Sequence, residues 1–118
     1  MVKEGLSQII DSIKENSNDS VILVEGKRDK EALKKAGIPD YAILQVSYKD
    51  ANRIYDEVML YHRDKVIVLY DNDRTGDRKM SILKNFLYGM GLKLLDYRSS
   101  LNKNGITYIE EIDNRLGL

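Results

Sequence analysis

Two short apolar runs each lead straight into an acidic motif, and this pairing constrains the fold more than any other feature of the chain. Val21-Ile22-Leu23-Val24 runs into Glu25-Gly26-Lys27-Arg28-Asp29, and Val66-Ile67-Val68-Leu69-Tyr70 runs into Asp71-Asn72-Asp73-Arg74-Thr75-Gly76-Asp77. Unbroken runs rich in Val and Ile read as strands covered on both faces, as in a parallel sheet. In open parallel sheets, ligands bind just past the carboxyl ends of the strands. Both acidic motifs are expected at that edge, with Glu25, Asp71 and Asp73 facing one point. Crowded carboxylates repel one another unless a cation neutralises them, and an all-oxygen donor set suits Mg²⁺, with Mn²⁺ as the alternative.

The rest of the chain alternates helices with strands. Leu6, Ile9, Ile10 and Ile13 recur at helical spacing, so residues 3–16 are expected to form an amphipathic helix. A polar loop precedes a strand over 21–25. Ala32, Leu33 and Ala36 stripe a short helix over 28–36, closed by Gly37 and Pro39. Residues 41–46 read as a second strand. Asp50 is placed to cap a helix striped by Ala51, Ile54, Tyr55, Val58 and Tyr61. A third strand covers 66–70, and Asp73 or Thr75 can cap the helix marked by Met80, Leu83, Leu87 and Met90. A fourth strand is expected over 92–97. Thr107-Tyr108-Ile109-Glu110 fits a capping box opening a last helix to about Leu116. The expected fold class is therefore α/β. Three layers, α/β/α, enclose a four-stranded parallel sheet, and right-handed crossovers favour the order 2-1-3-4. That order sets the first and third strands side by side, about 4.8 Å apart, so the two acidic motifs can share a metal.

With 118 residues, the chain reads as one domain over 1–118, its core at about 20–97 between flanking helices. The 19 basic and 19 acidic residues balance, so any affinity for nucleic acid needs a local patch. Without cysteine there is neither disulfide nor thiolate metal site. No apolar run approaches a membrane span, and Met1-Val2-Lys3-Glu4 does not begin a signal peptide. A cytoplasmic protein with no membrane partner is expected.

Each motif has an ordinary explanation when taken alone. An acid followed by glycine at a strand end is common turn chemistry, and acids at strand ends also cap helices. Together, Glu25, Asp29, Asp71, Asp73 and Asp77 are expected at one edge, which the fold itself does not require. Lys27, Arg28, Lys30, Arg74, Arg78 and Lys79 flank these acids. They can grip phosphates, or they can be solvated helix residues balancing local charge. His62, the single histidine, falls at the end of the third helix, where the helix dipole favours a cation, and reads as structural.

Val24-Glu25-Gly26-Lys27 with Asp29 after a first strand, and Asp71-x-Asp73-x-x-Gly76 after a third, resemble the topoisomerase–primase (Toprim) domain. The resemblance covers roughly residues 20–97, and the Glu25-Gly26-Lys27 form is most similar to the Toprim ribosomal-RNA maturases. It implies that Glu25 is the catalytic acid or base and that Asp71 and Asp73 bind the metal. Gly26, Asp29 and Gly76 then stand at supporting motif positions, and Asp77 falls outside the motif. The chemistry suits these roles, since phosphodiester transfer needs a cation on the phosphate and a group that moves a proton.

The expected function is a Mg²⁺-dependent enzyme on nucleic-acid phosphodiesters, a small nuclease or nuclease subunit. Its partners are DNA or RNA, and a partner protein can supply further substrate contacts. Segments that topoisomerases, primases and maturases carry outside the Toprim domain are not seen in this sequence. One alternative is a non-catalytic scaffold module of recombination or repair. Another is a haloacid-dehalogenase-type phosphatase with Asp71 as nucleophile, which leaves Glu25-Gly26 unexplained. A calcium loop starting at Asp71 fails because its twelfth position is Ile82.

Overall fold

The structure is a computed structural model that describes residues 5–118. Residues 3 and 4 of the expected first helix, and the Met1–Glu4 start, lie outside the described residues. The helices are α1 (Leu6–Asn16), α2 (Lys27–Lys35), α3 (Ala51–Met59), α4 (Arg74–Gly89), α5 (Arg98–Lys103) and α6 (Ile112–Arg115). The strands are β1 (Ser20–Val24), β2 (Ile43–Gln45), β3 (Lys65–Val68) and β4 (Lys93–Leu95). They form one parallel sheet in the order β2-β1-β3-β4, as the alternation of elements predicts.

Alternation along the two central strands builds the three layers. Ile22 and Val24 of β1, with Ile67 and Leu69 of the β3 segment, face Ile9, Ile10, Ile13, Leu33, Leu101, Ile109 and Ile112. Val21, Leu23, Val66, Val68 and Tyr70 face the other way, onto Ile54, Val58, Leu83 and Leu87. Every residue of β1 is buried. Complete burial of an aliphatic side chain contributes roughly 1.5–3 kcal/mol, so both faces of β1 and β3 are fixed by the core.

The structure corrects several expected boundaries. The second strand is shorter than 41–46, because Pro39 leads into a single 3₁₀ turn at Asp40–Ala42. Pairing nevertheless runs past β2, where the Val46 N–H donates to the Val24 carbonyl at 2.9 Å. The fourth strand ends at Leu95, and residues beyond Tyr97 turn into α5, a helix the sequence pattern does not announce. Met90 lies past the end of α4 and is exposed rather than on its inner stripe. The expected box from Thr107 to Glu110 does not form. Its backbone is committed elsewhere: the Thr107 carbonyl accepts from the Asn72 N–H at 2.7 Å, and the Ile109 N–H donates to Asp71 Oδ1 at 2.9 Å. Glu111 instead accepts from the Tyr108 N–H at 3.3 Å, across a 3₁₀ turn at Ile109–Glu111 that leads into the short α6.

Caps predicted for the helices that border the carboxyl edge are present. Asp50 Oδ1 accepts from the Arg53 N–H at 2.9 Å, and Asp73 Oδ1 accepts from the Gly76 N–H at 2.7 Å. Gly76 is buried, and a Cβ built on it would overlap the Asp71 carbonyl oxygen. The missing side chain thus lets the first turn of α4 close onto the loop that carries Asp71. Gly76→Ala is expected to destabilise the fold by about 1–3 kcal/mol, the usual cost of forcing extra volume against backbone. Denaturant melts measure this, and an Ala variant as stable as wild type would show that α4 is not held so closely.

Candidate functional site

A cleft of about 830 Å³ opens at the carboxyl edge of the sheet. Glu25, which follows β1 directly, and Asp71, three residues past β3, both line it, together with Gly26, Lys27, Arg28 and Asp29. Parallel pairing explains the meeting. The register runs from Ser20 opposite Lys65 to Leu23 opposite Val68, and the Leu69 N–H donates to the Leu23 carbonyl at 2.8 Å. The two chains therefore leave the sheet level with each other. Asp73, Arg74, Gly76, Asp77 and Arg78 lie outside the cleft lining, on the loop and first turns of α4.

Each acid is held by a specific partner. Asp29 Oδ2 accepts from the Gly26 N–H at 3.0 Å, which closes the turn into α2. Asp71 is tied through Oδ1 to the Ile109 N–H, and Asp73 through Oδ1 to the Gly76 N–H. Lys79 Nζ donates to Glu25 Oε2 at 2.9 Å, reaching across from α4. Asp77 is mostly exposed and pairs with Arg98 at 2.7 Å. Asp71 and Asp73 each keep one carboxyl oxygen beyond the backbone bond. Among the described residues, no three His, Cys, Asp or Glu side chains gather as a ready ligand set.

Electrostatics still registers the crowding. Burial, and then the nearby Asp71, push Asp29 from 3.8 up to about 6, against the pull of the Gly26 N–H, with Glu110 and Glu25 adding to the rise. Burial also raises Asp71. Its bond from Ile109 opposes that shift, while Glu25, Asp73 and Glu110 reinforce it. Lys79 is raised by its bond to Glu25 first, and further by Asp73 and Asp71. Burial, with Glu25 close by, raises Tyr70. These mutual effects place Glu25, Asp29, Asp71 and Asp73 in one electrostatic neighbourhood.

The loop after β3 is fastened by residues the sequence patterns do not single out. Arg98, its side chain largely buried, donates from Nε to the Tyr70 carbonyl at 3.1 Å and from Nη2 to the Asp71 carbonyl at 2.7 Å. Asn72 Nδ2 donates to the carbonyls of Arg98 and Ile106, each at 3.2 Å. Glu110 joins the cleft, although its spacing suggests only a helix cap. Asn72 sits inside the acidic motif, so its position was a usable signal; Arg98 and Glu110 carry none in the chain order. His62 lies in the turn after α3 with φ 56°, exposed and outside the cleft.

The shift of Asp29 has a sign that melts can read. A carboxyl raised in the fold weakens stability wherever it is charged, so its cost grows as pH rises from about 4 to about 6 and is constant above. Asp29→Asn keeps an acceptor for the Gly26 N–H and removes the charge. It is expected to stabilise the protein by roughly 1–3 kcal/mol near neutral pH, scaled from the shift. The gain should fade as pH falls through about 6 to about 4, where Asp29 itself takes up a proton. A gain that does not change with pH would reject the burial and crowding of a charged carboxylate as its cause.

No family model matches the chain. A UPF0292 protein of Methanocaldococcus jannaschii is 36% identical over 73 residues, 62% of this chain but only 56% of that protein. One from Pyrococcus furiosus is 31% identical over 87 residues, 74% of this chain and 63% of the relative. Among solved structures, a protein from Aquifex aeolicus superposes with a TM-score of 0.84 at 36% identity, covering 92% of this chain and 98% of that one. The zinc-binding and RNA polymerase domains of the Aquifex aeolicus primase superpose at a TM-score of 0.50 and 20% identity, over 93% of this chain and 28% of that one. The primase likeness is one of fold. The UPF0292 protein of Thermococcus sibiricus is 32% identical over 114 residues, 96% of this chain and 86% of the relative. On that near-complete alignment, the chain belongs to the UPF0292 family.

Proposed function

We propose that this chain is a Toprim-type domain whose cleft acts on nucleic-acid phosphodiesters with the help of a divalent cation. The observation that carries the reading is the level exit of β1 and β3, which sets Glu25 and Asp71 in one cleft with Lys27 and Arg28. The fold shared with a primase supports the link to nucleic acid. Lys27 and Arg28 are exposed at the rim and pair with no acid among the described residues, so they remain free for phosphate. Arg74 and Arg78, exposed on α4, can extend that grip.

The donor chemistry fits Mg²⁺ or Mn²⁺. Mg²⁺ usually takes one or two carboxylates and fills its remaining positions with water and substrate phosphate. Asp71 and Asp73 offer that number, each with an oxygen left after its backbone bond. Glu25 would lie near the metal as a further carboxylate. A bound cation would supply Lewis-acid stabilisation of the phosphoryl oxygens. Within the chain, Glu25 is the group to move the proton, and Lys79 fixes its carboxylate in the cleft. Gly76 lets the first turn of α4 close onto the Asp71 backbone, and Asp29 braces the turn after β1 through the Gly26 N–H.

A second reading is a nucleic-acid-binding module without catalysis that works beside a partner protein. The ion pair that already engages Glu25, and the place of Asp73 outside the cleft lining, favour it. Two measurements separate the readings. Millimolar Mg²⁺ or Mn²⁺ should raise the melting temperature of the wild type, because a ligand of the folded state alone stabilises that state. Asp73→Asn, which keeps the helix cap, should reduce the rise. Glu25→Gln should cut cleavage of single- or double-stranded DNA or RNA by about 10²- to 10⁴-fold while leaving most of the metal-induced shift. Melts that coincide with and without metal, together with no cleavage of any of these substrates, would favour the non-catalytic module.

A further inference from the structure

Gripping a phosphate needs charge, yet much of the cleft is apolar. Val46, Ala51, Ile54, Ile82 and Leu83 line it together with the carboxylates. Two of its large side chains are unusually exposed: Ile82 at 63% and Tyr48 at 105%. Tyr48 also adopts φ 64°, a left-handed conformation that a bulky residue seldom takes.

The loop that holds Tyr48 is anchored on both sides. Lys49 Nζ donates to the Gln45 carbonyl and to Glu57 Oε1, each at 3.0 Å, and the Lys49 N–H donates to the Val46 carbonyl at 3.1 Å. Gln45 Nε2 donates to Ser47 Oγ at 3.0 Å. Tyr48 itself has no side-chain partner among the described residues. Backbone strain of this kind persists only where the surroundings impose it. Here an unpacked aromatic ring stands in the lining of a cleft that also contains Lys27 and Arg28, which pair with no acid among the described residues.

We propose that the cleft takes a single-stranded segment of nucleic acid, with one base stacked on Tyr48 against the apolar wall and the adjoining phosphate directed to Lys27 and Arg28. This rests on the phosphodiester reading of the same site and adds the form of its substrate. In a duplex, the faces of each base are covered by its neighbours and its edges by its partner. An aromatic platform beside a phosphate grip meets a base face only where the strand is unpaired or the base has left the stack. Ile82, exposed in the same lining, offers apolar surface that a base can cover on leaving water.

Fluorescence anisotropy with short phosphorothioate-linked oligonucleotides, which resist cleavage, tests the proposal. The probes are single-stranded DNA and RNA, the same strand in a duplex, and a single strand of abasic units that keeps the phosphates. The wild type should bind a single strand more tightly than the duplex. Tyr48→Ala should weaken single-strand binding on the order of 10-fold, and Tyr48→Phe should restore it, since stacking uses the ring and not the hydroxyl. The abasic strand should bind wild type and Tyr48→Ala alike. Duplex binding as tight as single-strand binding, or an Ala variant of unchanged affinity, would overturn the proposal. If that residual binding stayed salt-sensitive and fell on replacing Lys27 and Arg28, the phosphodiester reading would survive. No binding of any probe would overturn both.

Discussion

The parallel pairing of β1 with β3 is the constraint on which everything else depends. These strands are central in the sheet and are buried on both faces. A slip of one residue would exchange the two faces, moving Ile67 from the α1 and α2 side to the α3 and α4 side. The cores on either side are built from different side chains, so packing resists that exchange. The position of the carboxyl edge is therefore set by aliphatic packing along the whole length of the same strands. Glu25 and Asp71 need no attraction to each other in order to meet, and indeed they repel.

That repulsion is managed locally and incompletely. Backbone N–H groups of Gly26, Ile109 and Gly76 each answer one carboxylate, and Lys79 answers Glu25. Hydrogen bonds to a charged carboxylate favour its ionised form. Even so, burial and neighbouring acids leave Asp29 and Asp71 raised from their ordinary values. Relaxation alone would tend to remove such a residue of unfavourable charge. Under the proposed function, a cation and a phosphate would use it: the first relieves the acids, and the second takes up Lys27 and Arg28.

Periodicity and local chemistry made the scaffold legible. Unbroken Val and Ile runs marked β1 and β3, the helical stripes marked α1, α3 and α4, and handedness gave the strand order. Asp50 and Asp73 announced their caps because a cap joins residues three apart. What the sequence hid lies at long separations. Lys79 is visibly basic, but nothing local pairs it with Glu25, 54 positions away. The segment from Arg98 to Ile112 has irregularly spaced apolar residues, since Leu101, Ile106, Ile109 and Ile112 pack from two short helices, a turn and a 3₁₀ element rather than from one face. Its hydrogen bonds to the loop after β3 overrode the local preference for a box at Thr107.

Asn72 shows how the scaffold and the candidate site are joined. Asp71 borders the cleft, and Asn72 between it and Asp73 turns toward the carboxyl-terminal segment. There it must donate twice, to the carbonyls of Arg98 and Ile106, while its own N–H donates to Thr107. A carboxylate at that position can only accept and would face two carbonyl oxygens and one more like charge. The neutral amide between two acids is thus fixed by its donors. It ties the acidic loop to a part of the chain that brings back Arg98 to hold the Asp71 carbonyl, the Ile109 N–H to hold the Asp71 carboxylate, and Glu110 to the cleft. The carboxyl-terminal segment is in this sense the second wall of the site: β1 and β3 bring the acids to one edge, and this segment sets the direction in which Asp71 points.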